Sequence, residues 1–304
     1  MSITMTGGMT FTGTFNVTPA PPNIRAIFGY GSTGGPTNIV SSAGVVAGDV
    51  TRVGTSRVAL AASGYGTDKA IFGYGVTTAI TNLVSNTGVV ATDTAGVGTA
   101  RFYLAAATYG TDKAIFGYGN NNSTQVSMTN KVSNTGAVSA DTTGVGTARN
   151  GLAAAGYGSS GQAIFAYGQT SGGYTAVSNL VSNTGVVSTD TGGVGSARQG
   201  VAAASYGTDK AIFGYGVPAS YASMTNLVTN TGVIGNDVTG VGTVRGYLAA
   251  ARFGSSGQAI FGYGSNSGGN LSITNIVSNT GVVATDTTGV GTARSELAAA
   301  TFGS

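Results

Sequence analysis

The sequence predicts an all-β protein made of six copies of one four-stranded sheet, and three observations carry that prediction. A hexad, Ala-Ile-Phe-Gly-Tyr-Gly, opens at Ala26, Ala70, Ala114, Ala163, Ala211 and Ala259, in steps of 44, 44, 49, 48 and 48 residues, with Ala166 its single departure. Around each hexad, short apolar runs alternate with Gly, Asp, Ser and Thr, and no 3.6-residue apolar stripe or run of helix formers appears. The two ends are complementary. The first copy starts at the hexad, whereas Leu297–Phe302 is a run of the kind that precedes a hexad in the other copies.

Taken in order, residues 1–23 stand outside the repeat as an N-terminal arm and Pro-rich linker. Met9–Gly13 and Thr14–Val17 alternate apolar with small polar residues, which predicts one or two short strands. Pro19, Pro21 and Pro22 then impose an extended path. An arm this small has no core of its own and is expected to dock on the repeats or on a partner chain. Residues 24–304 form the repeat domain. Its first strand is the Leu104–Ala107 type, and a turn such as Thr67-Asp68 leads into the hexad as the second strand. Thr81–Gly88 exemplifies the third, and a fourth begins at the following Val-Val and runs toward an Asp. Four strands in a repeat of this length predict a six-bladed β-propeller, closed by pairing the C-terminal strand with the N-terminal blade. A β-solenoid is the alternative, but its turns are shorter.

Composition excludes several kinds of chemistry. The chain has 304 residues, 53 of them Gly, and no Cys, His or Trp, which removes disulfides, thiol and histidine catalysis and zinc fingers. The net charge of +3 is small and dispersed, so no nucleic-acid partner is expected. No apolar run approaches the length of a membrane span, so no membrane insertion is expected. Glu296 has no second carboxylate for glycosidase chemistry, and the Gly-rich turns lack the helix and Gly-Lys-Ser/Thr of a phosphate loop. The expectation is no enzyme, no cofactor and no metal.

Two residue sets stand out. Asp49, Asp93, Asp141, Asp190, Asp237 and Asp286 each precede by eight residues Arg57, Arg101, Arg149, Arg198, Arg245 and Arg294. Sixfold recurrence points to a structural role, one Asp and one Arg holding each blade-to-blade turn, rather than to a cation site. The second set is what fails to repeat. The inserts between the second and third strands vary in length, and they and the residues just past the Arg carry Asn121, Asn122, Tyr174, Tyr221, Asn270, Phe102, Tyr103 and Tyr247. Loops on a rigid scaffold are where binding resides, and Tyr and Asn suit glycan or protein contacts. These eight are the candidate ligand-binding residues.

The strand order, with Gly117-Tyr-Gly119 after the second strand and Arg101 or Arg149 between units, resembles the kelch repeat over residues 24–304. The chain departs from it in lacking the fourth-strand Trp and in separating the glycine doublet with Tyr. Kelch-type sugar oxidases hold copper with His and a Tyr–Cys cross-link, residues this chain cannot supply. The opening Met1–Gly13 and the Gly-Tyr-Gly and Ser-Asn-Thr-Gly repeats are also similar to virion-associated proteins of tailed bacteriophages, cyanophages in particular. That resemblance implies a virion structural protein of tail, neck or capsid, bound to other virion proteins through residues 1–23 and in contact with the host surface. The alternative is a lectin-like propeller that binds a host-surface glycan as a receptor-binding module.

Overall fold

The computed structural model describes residues 23–303 and, before them, the two-residue strands Ile3–Thr4 and Thr10–Phe11, which pair antiparallel. Thr10–Phe11 falls within the expected Met9–Gly13 strand. The expected Thr14–Val17 strand, the Pro-rich linker and any docking of the arm lie outside the described residues.

The described chain is all-β, with no helix and many small antiparallel sheets. Six of these have three strands in the order first, second, third. In sheet one, Ala298–Phe302 pairs with Arg25–Gly29, which pairs with Thr37–Val40. Sheet two is Ala61–Tyr65, Lys69–Gly73 and Thr81–Val84; sheet three is Ala105–Tyr109, Lys113–Gly117 and Thr129–Val132. Sheet four is Ala153–Tyr157, Gln162–Ala166 and Ser178–Val181. Sheet five is Ala202–Tyr206, Lys210–Gly216 and Ala222–Val228; sheet six is Ala249–Phe253, Gln258–Gly262 and Thr274–Val277. First strands of successive sheets lie side by side, and Ala298–Phe302 also lies beside Ala61–Tyr65.

Burial explains why these segments read as they do. The hexad strand is buried at four successive positions because it is the middle strand, covered on both faces, so its sequence is a continuous apolar run. The first strand alternates buried and half-buried, one side chain into the core and the next into a central cavity. Between sheets, each buried Phe meets the sheet before it. A Cβ added at Gly29 would lie 2.7 Å from the Phe72 ring, and one at Gly117 would lie 2.8 Å from Phe165. The first glycine of the hexad is therefore a landing site for the next sheet's phenylalanine. Ala166 fills that site in sheet four, and the ring pair above it, Tyr167–Phe213, is spaced at 5.4 Å against 5.2 Å for Tyr118–Phe165.

The expected fourth strand is a correction. The three-stranded sheets continue only through isolated bridges, Val40 to Val46 and Thr37 to Val50 in sheet one. Val50 lies four positions after Val46, while Val40 lies three after Thr37, so one residue bulges out of the ladder. The same spacing recurs at Val84–Val90 with Thr81–Thr94 and at the four remaining sheets. The third-strand Asn repairs the gap: Asn38 Nδ2 donates to the Ala47 carbonyl at 3.0 Å and to Asp49 Oδ1 at 2.9 Å. A bulge stitched by a side chain is not readable from an apolar run.

Candidate functional site

Two sixfold assemblies form on the face where the inserts emerge. The first is a girdle of Tyr, Arg, Asn and Asp between sheets. Arg101 is wholly buried, its guanidinium 4.4 Å from the Tyr74 ring centroid. It donates from Nε to the Tyr118 carbonyl at 2.9 Å and from Nη2 to Asn130 Oδ1 at 2.5 Å. Asn130 in turn holds Asp141, which lies 3.7 Å from Arg101. Asp141 also accepts from the Thr99 N–H and hydroxyl at 3.0 and 2.7 Å. Each Asp therefore joins the Arg of the preceding unit, not the one eight residues after it. Asp49 reaches back across the chain ends to Thr292, and Arg294 to Asn38.

Electrostatics in the girdle follow from burial. Desolvation pulls the Arg101 guanidinium below its ordinary value, and Tyr74 and Asp141 counter it. Burial pushes the Asp141 carboxyl up, but hydrogen bonds from Thr99 and Asn130 and the charge of Arg101 outweigh it and hold the group below the ordinary range. Burial pushes the Tyr74 hydroxyl up to about 12. The hexad Tyr itself sits in the left-handed region, φ 65° at Tyr74 and 63° at Tyr118, a conformation costly for a bulky side chain. The stacked Arg and a bond from Tyr74 Oη to the Val97 carbonyl at 3.0 Å hold it there.

The second assembly is a collar. Ala59, Tyr103, Gly151, Gly200, Tyr247 and Glu296 stand two residues past the six repeated arginines, all with φ between 51° and 62°. Their backbones close a ring of six hydrogen bonds. Tyr103 N donates to Ala59 O, Gly151 to Tyr103, Gly200 to Gly151, Tyr247 to Gly200, Glu296 to Tyr247 and Ala59 to Glu296, all at 2.8–2.9 Å. Beneath the ring lies a cavity of about 70 Å³ floored by Leu60, Leu104, Leu152, Val201, Leu248 and Leu297. Above it, Tyr103 and Tyr247 have ring centroids 5.8 Å apart, Phe102 stands 5.5 Å from Tyr103, and the Tyr103 hydroxyl donates to Glu296 Oε1. Burial and the adjacent Glu296 push the Tyr103 hydroxyl far above its ordinary value. Burial, with Tyr174, Glu296 and Tyr221 nearby, pushes Tyr247 up to about 12. The collar thus offers two aromatic faces and a carboxylate over an apolar floor, a surface that can stack a sugar ring and accept from its hydroxyls.

The structure brings Phe102, Tyr103 and Tyr247 together, with Tyr174 and Tyr221 near enough to Tyr247 to influence its charge. The asparagines lie elsewhere. Asn121 Oδ1 is occupied by the N–H groups of Ser123 and Thr124, and Asn122 is exposed with φ 73°. Asn270 Nδ2 donates to Ser32 Oγ at 3.1 Å, tying the insert of sheet six to that of sheet one. Sequence reasoning missed Glu296 as a collar residue and the ring itself. The available signal was variation at one position, Ala, Tyr, Gly, Gly, Tyr and Glu, between repeated neighbours. Among the described residues no cluster of three His, Cys, Asp or Glu stands within reach of one metal ion. The chain matches no known family profile, and no curated protein matches it.

Proposed function

We propose that the six sheets are the blades of a closed six-bladed kelch-like propeller and that the molecule is a non-enzymatic binding module whose collar face takes a glycan. Closure draws support from the pairing of Ala298–Phe302 with Arg25–Gly29, from the contact of that last first-type strand with Ala61–Tyr65, and from the cyclic collar bonds. The observation that carries the binding reading is the collar. There, three of six equivalent backbone positions bear Tyr103, Tyr247 and Glu296, while the surrounding frame repeats. A chain without His or Cys, whose one Glu is engaged by a tyrosine, has little with which to run acid–base or nucleophilic catalysis. Two Tyr faces and a carboxylate serve recognition instead. The test is retention on host-surface polysaccharides or a glycan array. Wild-type protein is retained, and Tyr247→Ala and Glu296→Gln lose retention while keeping their melting temperature. An array without binding above background sinks the glycan reading.

The setting we propose is a tailed-phage particle, with residues 1–23 binding other virion proteins and the collar face turned outward. Its support is the resemblance of Met1–Gly13 and of the Gly-Tyr-Gly repeats to virion-associated proteins. The described chain enters sheet one at the end of its second strand remote from the collar. Deleting residues 1–22 is expected to leave a folded repeat domain that no longer joins particles. Normal incorporation of the truncated chain would refute the anchoring role.

A further inference from the structure

The first strands line a second cavity whose character changes along its length. Beyond the leucines under the collar comes a layer of six alanines, Ala62, Ala106, Ala154, Ala203, Ala250 and Ala299. Beyond these, the fourth residue of each first strand faces the same space, and five of the six are Gly64, Thr108, Gly156, Ser205 and Thr301. The sixth is Arg252, the one long and charged side chain in a column otherwise made of Gly, Ser and Thr. Cavities of about 200 Å³ and 140 Å³ open beside it toward the hairpin turns, and Arg252 lines both.

The arginine is uncompensated. Its Nε is buried with no partner, and among the described residues its guanidinium makes no hydrogen bond or ion pair, although its carbonyl accepts from Thr301 Oγ1 at 2.8 Å. Burial lowers its proton affinity and no charged neighbour offsets this, unlike the girdle arginines, each raised again by its Tyr and its Asp. The charges at this mouth cancel within the turns: Lys69 holds Asp68 at 2.9 Å, Lys113 holds Asp112 at 2.7 Å, and Lys210 stands 4.0 Å from Asp209. Arg252 is half-buried, and a partly desolvated cation without a counter-charge carries a cost that an anion bound beside it relieves. Thr108 and Thr301 commit their hydroxyl protons to the carbonyls of Gly64 and Arg252, which leaves Arg252, Ser205 and, at the mouth, Lys69 as the donors lining the larger cavity.

We propose that this end of the central cavity is an oxyanion site, in which the guanidinium of Arg252 and the hydroxyl of Ser205 hold a phosphate, sulfate or carboxylate group. Planar, charged N–H donors in a partly dehydrated space suit such a group and reject neutral ligands and cations. The site lies at the opposite end of the cavity from the collar and does not depend on what the collar binds.

The experiment uses the full chain in a buffer free of oxyanions, titrated separately with inorganic phosphate, sulfate and acetate and followed by calorimetry and by melting temperature. At least one of the three is expected to bind and to raise the melting temperature. Arg252→Thr installs the residue found at the equivalent place in two other sheets, so its fold is preserved. It is expected to weaken binding roughly tenfold or more, the equivalent of losing a charge-assisted hydrogen bond. Without anion, the same variant is expected to melt at or above the wild-type temperature, because it removes a half-buried charge that has no counter-charge. Failure of all three anions to bind overturns the proposal, as does equal binding by Arg252→Thr or a lower melting temperature of that variant without anion. Which anion binds best separates a phosphate or sulfate ligand from a carboxylate one.

Discussion

The girdle and the collar are both built from six equivalent positions on one face, yet one is uniform and the other is not. In the girdle each side chain is a structural part: Arg101 alone contacts Tyr74, Tyr118, Thr99, Asn130 and Asp141, so replacing it disturbs two sheets. In the collar the ring itself uses only the backbone, through N–H and C=O groups that do not depend on which of Ala, Tyr, Gly or Glu stands there. Its side chains are therefore free to differ, and they do. Identity across copies marks what the fold needs, and variation at a fixed backbone position marks where a ligand can be recognised.

The largest effect that tests this contrast acts on all the girdle carboxylates together. Their folded-state proton affinity lies below the ordinary aspartate value of 3.8, as at Asp141 and Asp286. The stability they contribute is then fully present above pH about 4 and is lost as pH falls below it through the lowered folded value. Melting temperature should be flat near neutrality and drop steeply below pH 4. A profile that stays flat to pH 2 would show that the carboxylates do not hold the sheets together.

Next in size is a single girdle side chain. Arg101→Ala leaves Asn130 and Asp141 without their cation and should cost about 3–5 kcal/mol of unfolding free energy. Urea unfolding measures it, and a loss under 1 kcal/mol would remove the girdle's structural claim. Smaller again is the Gly–Phe contact. Gly117→Ala drives a methyl toward Phe165 and should cost about 1–3 kcal/mol. The reverse change, Ala166→Gly, leaves a methyl-sized gap and should cost about 1 kcal/mol. Comparable losses from both changes would show that each interface is fitted to its own residue.

The girdle was legible because it repeats: six Asp and six Arg at fixed spacing stand out in a chain with only 23 charged residues. Their partnership was not legible, since spacing pointed to Asp93 with Arg101, whereas the fold sets Asp93 3.9 Å from Arg57 of the unit before. Neither was the bulge between Val46 and Val50, because the sequence does not reveal that Asn38 stands in for a ladder bond. The collar was half legible. Tyr103 and Tyr247 were singled out, but Glu296 lies 193 residues from its tyrosine partner, and only the meeting of sheets one and three across the ring joins them. Arg252 was not singled out, because its being the odd member of a small-residue column matters only once that column is known to face a cavity.

The smallest effect is expected where the contrast is most direct. Ala59 occupies the backbone position that Tyr103 and Tyr247 occupy in two other sheets, with φ 55° against 51° and 55°. Ala59→Tyr therefore adds a side chain without asking the backbone to move, and the collar bonds from Tyr103 N to Ala59 O and from Ala59 N to Glu296 O remain available. Stability should change by less than about 1 kcal/mol, within the range of substitutions away from packed features. The third ring enters the space above Glu296, so glycan retention should change while the melting temperature does not. A destabilisation as large as that of Arg101→Ala would mean that the collar's side chains, like the girdle's, are fixed by the fold, and that their variety carries no information about a ligand.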